Sequence, residues 1–369
     1  MVYLICFIAS VIFAYCAQYS KKKISFIFFS ILSIAVTVLL AGLRDISVGT
    51  DTSHYFYNLW TEATRSRSLW SFMKVYFKYY SSKEFLYAFL LGTTAKLTGN
   101  FNVFLTLVHL IIVGGVYIGL IRLKRYASPP FCLLLFYLFY YNHSLNIIRQ
   151  YMAMAILFAF TDDLLNRNFK RYLLAVFLAM MMHNSAFLGI IPLILFQILY
   201  PKHRMRAIPL QHRIIMYLLM IAAFFMLRPI AGVLIKIGIA SQKYIFYLES
   251  NGKNSYIVAR MLSLIEIIVI FIFVQSFRRY QSEDDFFLAC TIAFALLYQI
   301  ASNIQFGRRI PLYFCLNNIC SLGILTKCPK MRGNSLVIQG TIIVVAFAYW
   351  VLMFLHYNTS DTIPYILGI

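Results

Sequence analysis

Long apolar runs separated by short basic interruptions dominate the chain, and this alternation predicts helices that cross a membrane. Runs at 2–20, 24–43, 100–121, 213–234, 257–276, 285–302, 310–326 and 337–356 approach or reach the ~20 helical residues that cover a ~30 Å hydrocarbon core. Two further pairs of runs are shorter. Residues 131–141 and 147–160 flank Asn142-His143-Ser144-Leu145-Asn146, and residues 172–182 and 186–200 flank His183-Asn184-Ser185. Eleven helical residues rise only about 16 Å, so either His183 lies well below the surface or the helix continues through the polar residues. Interrupted segments of this kind point to a site between spans, because irregular backbone at depth is tolerated only against protein or water.

One interruption is longer than the rest. It opens with AGLRDISVGTDTSHYFY over 41–57 and continues to about 99, taking in an amphipathic aromatic stretch, Leu69 to Tyr80, and an apolar run of about 15 residues from Glu84 to Thr98. The first suits an interfacial helix. The second is too short to span and reads as a re-entrant or half-depth helix.

Basic residues orient this pattern. Placing Lys21–Lys23, Lys124, Lys170, Arg204, Arg278 and Lys330 on the cytoplasmic side gives 12 spans plus the re-entrant piece, with both termini and residues 44–99 outside. The expected fold is therefore all-α, a polytopic transmembrane bundle, and 1–369 forms a single integral-membrane domain with a periplasmic segment at about 44–99. Composition agrees: the 369 residues are 62% hydrophobic with a mean hydropathy of +0.77. The run 2–17 lacks a basic leader and a small-residue cleavage site, so it reads as a retained span. The seven cysteines lie in or beside apolar segments without CxxC pairing and read as small core residues.

The net charge of +21 is dispersed over short loops, which excludes a nucleic-acid surface, but topology accounts for only just over half of the 33 lysines and arginines. The outer side is left with Arg44, Asp45, Asp51, His54, Arg149, His183, Arg260, Arg308 and Arg309. Charges within a bilayer are expensive and face a cavity or a partner; Arg149 has no acid nearby in sequence and needs one from elsewhere. Individually these residues fit bland roles: snorkelling arginines, Asp51 and Thr52 capping the turn after Gly49, His183 starting a helix. As a set, several guanidinium groups with few acids imply a bound anion, since arginine's planar fork pairs with phosphate oxygens. A lipid-linked pyrophosphate at the outer leaflet meets that description. GxSxG, HExxH, P-loop and Rossmann patterns are all absent, and no acidic cluster suggests a metal, so no cofactor is expected and the chemistry reads as metal-independent.

Arg44 to Tyr55 (RDISVGTDTSHY), Arg149-Gln150 with Ala153, His183-Asn184-Ser185, Arg309 with Tyr313-Phe314, and the tail Ile363-Pro364-Tyr365 resemble the EpsG-type branch of the Wzy polysaccharide polymerases, from about residue 40 to the C-terminus. The resemblance implies a glycosyltransferase of GT-C-like architecture in the bacterial inner membrane, with its active site facing the periplasm. Such an enzyme joins oligosaccharide repeat units carried on undecaprenyl pyrophosphate, the lipid pyrophosphate leaving, for O-antigen, capsule or exopolysaccharide synthesis; a chain-length regulator is a further implied partner beside the lipid bilayer. The expected catalytic set is Asp51, His183, Arg149 and Arg309, with Asp51 or His183 activating the attacking hydroxyl. Arg44, Arg308, Tyr55, Arg260 and Tyr365 form the expected substrate-binding set, and either Arg308 or Arg309 faces the pyrophosphate. Two rivals share the cationic face. An O-antigen ligase differs only in its acceptor, and a flippase or other transporter of lipid-linked oligosaccharide calls for charges through the spans and a repeated half-structure.

Overall fold

The computed structural model describes residues 1–80, 84–200, 210–236, 257, 260–266, 268, 284–301, 307–327 and 335–368. Lys202, Arg204, Arg206, Arg278, Arg279, Lys330 and the loop at about 236–256 lie outside the described residues. Among the described residues every regular element is helical, and the only β-type pairing is one isolated antiparallel bridge between Arg44 and Leu367. The chain divides into two compact units, Met1–Ile190 with Leu336–Ile369, and Ile191–Ser335.

The first unit begins with α1 (Val2–Tyr19) and α2 (Lys23–Gly42), an antiparallel hairpin whose turn carries the three lysines. Midway, Ser10 Oγ donates to Ser33 O at 2.6 Å and Ser33 Oγ to Ser10 O at 2.9 Å, so two small polar residues fasten the hairpin where water is scarce. A π-helical turn (Thr52–Phe56) leads into α3 (Tyr57–Arg65), followed by α4 (Leu69–Tyr80) and α5 (Phe85–Thr98), which stops at Gly99 in the left-handed region (φ 59°). The expected aromatic helix and half-length apolar helix are thus both present. Trp70 and Tyr79 of α4 are exposed.

The long α6 (Phe101–Arg122) is the centre of the unit and packs against α2 and α9 (Ile148–Ala159). Glycine makes that approach possible: a Cβ on Gly115 would lie 3.0 Å from the carbonyl oxygen of Ala155, and one on Gly119 3.0 Å from that of Phe158. This is small-xxx-small packing, in which the absent side chain lets two backbones come together. Between α6 and α9 run α7 (Pro129–Phe136), a π-helical turn (Tyr137–Tyr141) and the single turn α8 (Asn142–Ser144), so the polar break predicted at 142–146 is partly helical. After α9, α10 (Thr161–Leu165) and α11 (Phe169–Met182) follow. At the basic end of the unit Arg122 pairs with Asp163 at 2.6 Å and Arg125 with Asp162 at 3.3 Å.

The helix α11 stops at Met182, and His183 takes an extended conformation (φ −153°, ψ 124°) before a 3-10 turn, Asn184–Gly189. Of the two alternatives open for His183, the structure therefore selects the interrupted helix. The 12 residues of α9 and 14 of α11 rise about 18 and 21 Å, short of a ~30 Å core.

The second unit contains α12 (Ile190–Leu199), α13 (Leu210–Lys236), α14 (Asp284–Ala301) and α15 (Leu312–Leu325), of which α14 and α15 pack together. The chain returns to the first unit in α16 (Ser335–Trp350), extended by a π-helical turn (Val351–His356). Four helices among the described residues are long and apolar enough to cross a membrane, Val2–Tyr19, Lys23–Gly42, Phe101–Arg122 and Ser335–His356, and three shorter apolar helices accompany them.

The tail after α16 runs back over the polar end of the first unit as a strap. Gly49 N–H donates to Asp361 O (2.8 Å), Asp45 N–H to Ile366 O (2.9 Å) and Gly368 N–H to Leu43 O (2.8 Å). Asn142 Nδ2 donates to Thr362 Oγ1 (2.9 Å), Asn146 Nδ2 to Ser360 O (2.6 Å) and Tyr3 Oη to Thr362 O (2.9 Å). Gly49 itself has φ 97°, a left-handed conformation that glycine adopts without strain, which explains the glycine in the GTD turn.

Candidate functional site

The first-unit residues singled out in the sequence sort into two neighbourhoods. One is built on Arg44, which is fully buried. Its Nη1 donates to Ala41 O (2.8 Å), its Nη2 to Leu145 O (2.9 Å) and, at 3.4 Å, to Thr52 Oγ1. No carboxylate takes part. The charge sits on carbonyls at the C-terminal end of α2 and just past α8, where the helix dipole is negative and terminal carbonyls lack intrahelical donors. Burial draws the Arg44 pKa down to about 10, still protonated at neutral pH. Asp51, seven residues on, does not pair with it: the Asp51 backbone N–H donates to Asn146 Oδ1 at 3.3 Å, and its side chain makes no cap hydrogen bond. Tyr365 belongs to this neighbourhood too, its hydroxyl donating to Leu40 O (3.0 Å) and its ring meeting that of Tyr3 edge-on at 5.6 Å. Arg44, Tyr365 and the strap thus hold the polar end together.

The second neighbourhood gathers Tyr55, Arg149 and His183 around a residue that the sequence reading left out, Glu84. Arg149 Nη1 donates to Glu84 Oε2 at 2.6 Å, and His183 Nδ1 lies 2.7 Å from Glu84 Oε1. The same carboxylate accepts from the backbone N–H of Asn184 (3.1 Å) and from the Tyr76 hydroxyl (3.2 Å). The Arg149 guanidinium lies over the rings of Tyr55 and Tyr87, at 4.8 and 5.4 Å from their centroids, so two aromatic faces and one carboxylate hold it. Glu84 is 2% exposed, whereas the Arg149 and His183 side chains keep 23% and 18% of their surface open. The acid is inside and the two basic side chains are part-exposed.

Glu84 was hidden because its position is that of an ordinary helix start. An acid preceding an apolar helix reads as a cap or a dipole partner, but this side chain makes no cap hydrogen bond to α5 and crosses to α9 and to the segment after α11 instead. The available clue was the demand of Arg149 for an acid in a chain with 12 aspartates and glutamates against 33 basic residues.

Burial alone would raise the Glu84 carboxyl; the His183 hydrogen bond and the Arg149 charge overcome it and hold the pKa at about 2. Against ~4.3 in an unfolded chain, a depressed acid contributes stability that is present above ~4.3 and lost as the pH falls toward 2. The melting-temperature difference between the wild type and Glu84→Gln is therefore expected to be larger at pH 5 than at pH 3. Thermal unfolding in detergent across that range checks it.

In the second unit, Arg260 Nε donates to Gln299 Oε1 (3.3 Å) and Gln299 Nε2 returns a bond to Arg260 O (2.8 Å). Arg309 is half-buried on the 3-10 turn Gly307–Arg309 ahead of α15, and the side chain of Arg308 lies outside the described residues. Among the described residues no group of three His, Cys, Asp or Glu is placed to hold a metal ion.

Helices throughout the described residues, four of them long and apolar enough to cross a membrane, and a part-buried cluster of arginine, histidine and glutamate define a polytopic membrane protein with an ionic cluster at helix ends. The EpsG family profile matches residues 26–367, and the chain belongs to that family. No curated protein and no solved structure matches it.

Proposed function

We propose that this protein is a polysaccharide polymerase that joins undecaprenyl-pyrophosphate-linked oligosaccharide repeat units at the periplasmic face of the bacterial inner membrane. Membership of the EpsG family supports a polymerase type of role. One observation carries the mechanism: Arg149, at the start of α9, and His183, just after α11, converge on a single buried carboxylate while staying part-exposed. In the full reading the chain crosses the membrane about 12 times as one integral domain, α5 is the half-depth piece and both termini lie on the side of the site.

In this reading a hydroxyl of the acceptor sugar attacks the anomeric carbon of the donor. The new carbon–oxygen bond forms, the bond from that carbon to the phosphate oxygen breaks, and undecaprenyl pyrophosphate leaves with the electron pair. His183 takes the hydroxyl proton, and Arg149 faces the charge that develops on the pyrophosphate, a group held ready before the reaction.

The test is elongation by the purified full-length protein on lipid-linked repeat units in a bilayer: products longer than one repeat, with release of undecaprenyl pyrophosphate, are expected. Transfer only to a lipid A core would replace the reading with a ligase, and movement across the bilayer without bond formation with a transporter. Because the base is assigned to His183, and Asp51 neither caps its turn through its side chain nor pairs with Arg44, Asp51→Asn is expected to elongate within about threefold of the wild type, since a substitution that breaks no such contact costs little. A loss beyond a hundredfold at normal abundance would move the base to Asp51.

A further inference from the structure

We infer that Glu84 is the positioning residue of this site, a buried clamp whose one oxygen fixes the tautomer of His183 while the other holds Arg149 in place. In its activity arm the inference rests on the polymerase reading; in its structural arm it does not.

The argument starts from an unusual use of a helix-start acid. Glu84 precedes α5 without capping it. Its carboxylate is fully enclosed, and enclosure of an ionised acid is unfavourable unless each oxygen is satisfied. Here each oxygen has a separate duty. Oε1 takes His183 Nδ1 at 2.7 Å together with the Asn184 backbone N–H at 3.1 Å; Oε2 takes Arg149 Nη1 at 2.6 Å together with the Tyr76 hydroxyl at 3.2 Å. The Asn184 contact ties the carboxylate to the backbone beside the histidine, so the imidazole is fixed in position as well as in hydrogen bonding.

An ionised carboxylate only accepts hydrogen bonds, so the imidazole must carry its proton on Nδ1, which puts the lone pair of the neutral ring on Nε2. That tautomer is the one a base needs when its Nδ1 side is anchored. The second oxygen orders the guanidinium between the rings of Tyr55 and Tyr87, so base and cation are set relative to one another by a single side chain. Glutamine cannot substitute: its amide offers one acceptor and one donor group. With the oxygen toward His183, the NH2 group opposes the Arg149 and Tyr76 donors; with the oxygen toward Arg149, the NH2 group faces Nδ1 and selects the opposite tautomer.

The experiment uses full-length protein with Glu84→Gln, Glu84→Asp, His183→Gln and the Glu84→Gln/His183→Gln double variant. Elongation on lipid-linked repeat units is measured as kcat and KM, and the ring nitrogens of labelled histidine are read by NMR. Losing the residue that orients a base is expected to lower kcat by between ~10² and ~10⁴, with the donor KM changed less than tenfold. Glu84→Asp, which keeps both oxygens, recovers at least tenfold of that loss. Because part of the clamp's effect passes through the histidine and part through Arg149, the double variant is expected to lose less than the product of the Glu84→Gln and His183→Gln losses; fully multiplied losses would mean a general structural contribution and would overturn the inference. In wild-type protein above the titration of His183 the proton is expected on Nδ1. A proton on Nε2 overturns the clamp even in an active enzyme. A proton on Nδ1 in a protein that does not elongate keeps the clamp and removes the polymerase reading, and this measurement decides the matter even if Glu84→Gln fails to fold.

Discussion

Arg149→Lys is expected to slow elongation by about 10² to 10³-fold at unchanged protein abundance, the loss typical of removing one preorganised donor from a developing negative charge. The variant retains a cation for Glu84, so the 2.6 Å contact of the native pair has a replacement and the buried carboxylate is not stranded. What lysine lacks is the planar group that lies over both Tyr55 and Tyr87 and still presents donors to a phosphate. Arg149→Ala is a poorer probe, because it leaves Glu84 enclosed without its strongest partner, and breaking a buried pair in this way destabilises by roughly 3–5 kcal/mol. Polymer length on gels together with membrane abundance separates the two variants. Wild-type elongation by Arg149→Lys would take the pyrophosphate role away from this residue.

Arg44→Leu is expected to be the most damaging substitution for folding, with the protein failing to accumulate or losing on the order of 3 kcal/mol or more. The leucine fills part of the space but leaves the carbonyls of Ala41 and Leu145 without a donor, and each buried polar group stranded costs about 1–3 kcal/mol. Those carbonyls belong to segments that meet the C-terminal strap, since Leu43, Asp45 and Gly49 all exchange backbone hydrogen bonds with residues 361–368. The damage is therefore expected to spread to the tail, and limited proteolysis near residue 360 should accelerate in the variant. An Arg44→Leu protein of normal abundance and normal tail protection would show that this arginine is replaceable scaffolding and would reopen a direct role for it with substrate.

The contrast between these two arginines marks the limit of a reading by composition. Both lie next to long apolar runs, and both fit an anion pocket as a member of a set. One proves to be spent on helix-end carbonyls and the other to be held half-open against an acid. Tyr55 and Tyr365 divide in the same way, the first lying against Arg149 and the second against Leu40 and Tyr3. Each pair looks alike in sequence because residue type and hydropathy describe a side chain's needs, not the direction in which they are met.

What the sequence determined by itself is whatever follows from local length and polarity. The α1–α2 hairpin, the long α6, the aromatic α4 and the short α5 all follow from where apolar residues run out, since an unsatisfied backbone in a lipid environment is too costly for other solutions; whether α11 stopped before His183 or ran on through it was left open. The need of Arg149 for an acid from elsewhere was also local knowledge. Only the tertiary structure decided which acid answered it: Glu84 is 65 residues away from Arg149 and 99 from His183, and their meeting depends on α6 and α9 approaching over Gly115 and Gly119 and on α5 packing against α11 with its start beside Asn184. Such a meeting is a property of helix packing, in which residues distant in the chain share one buried charge, and no periodicity along a single segment encodes it.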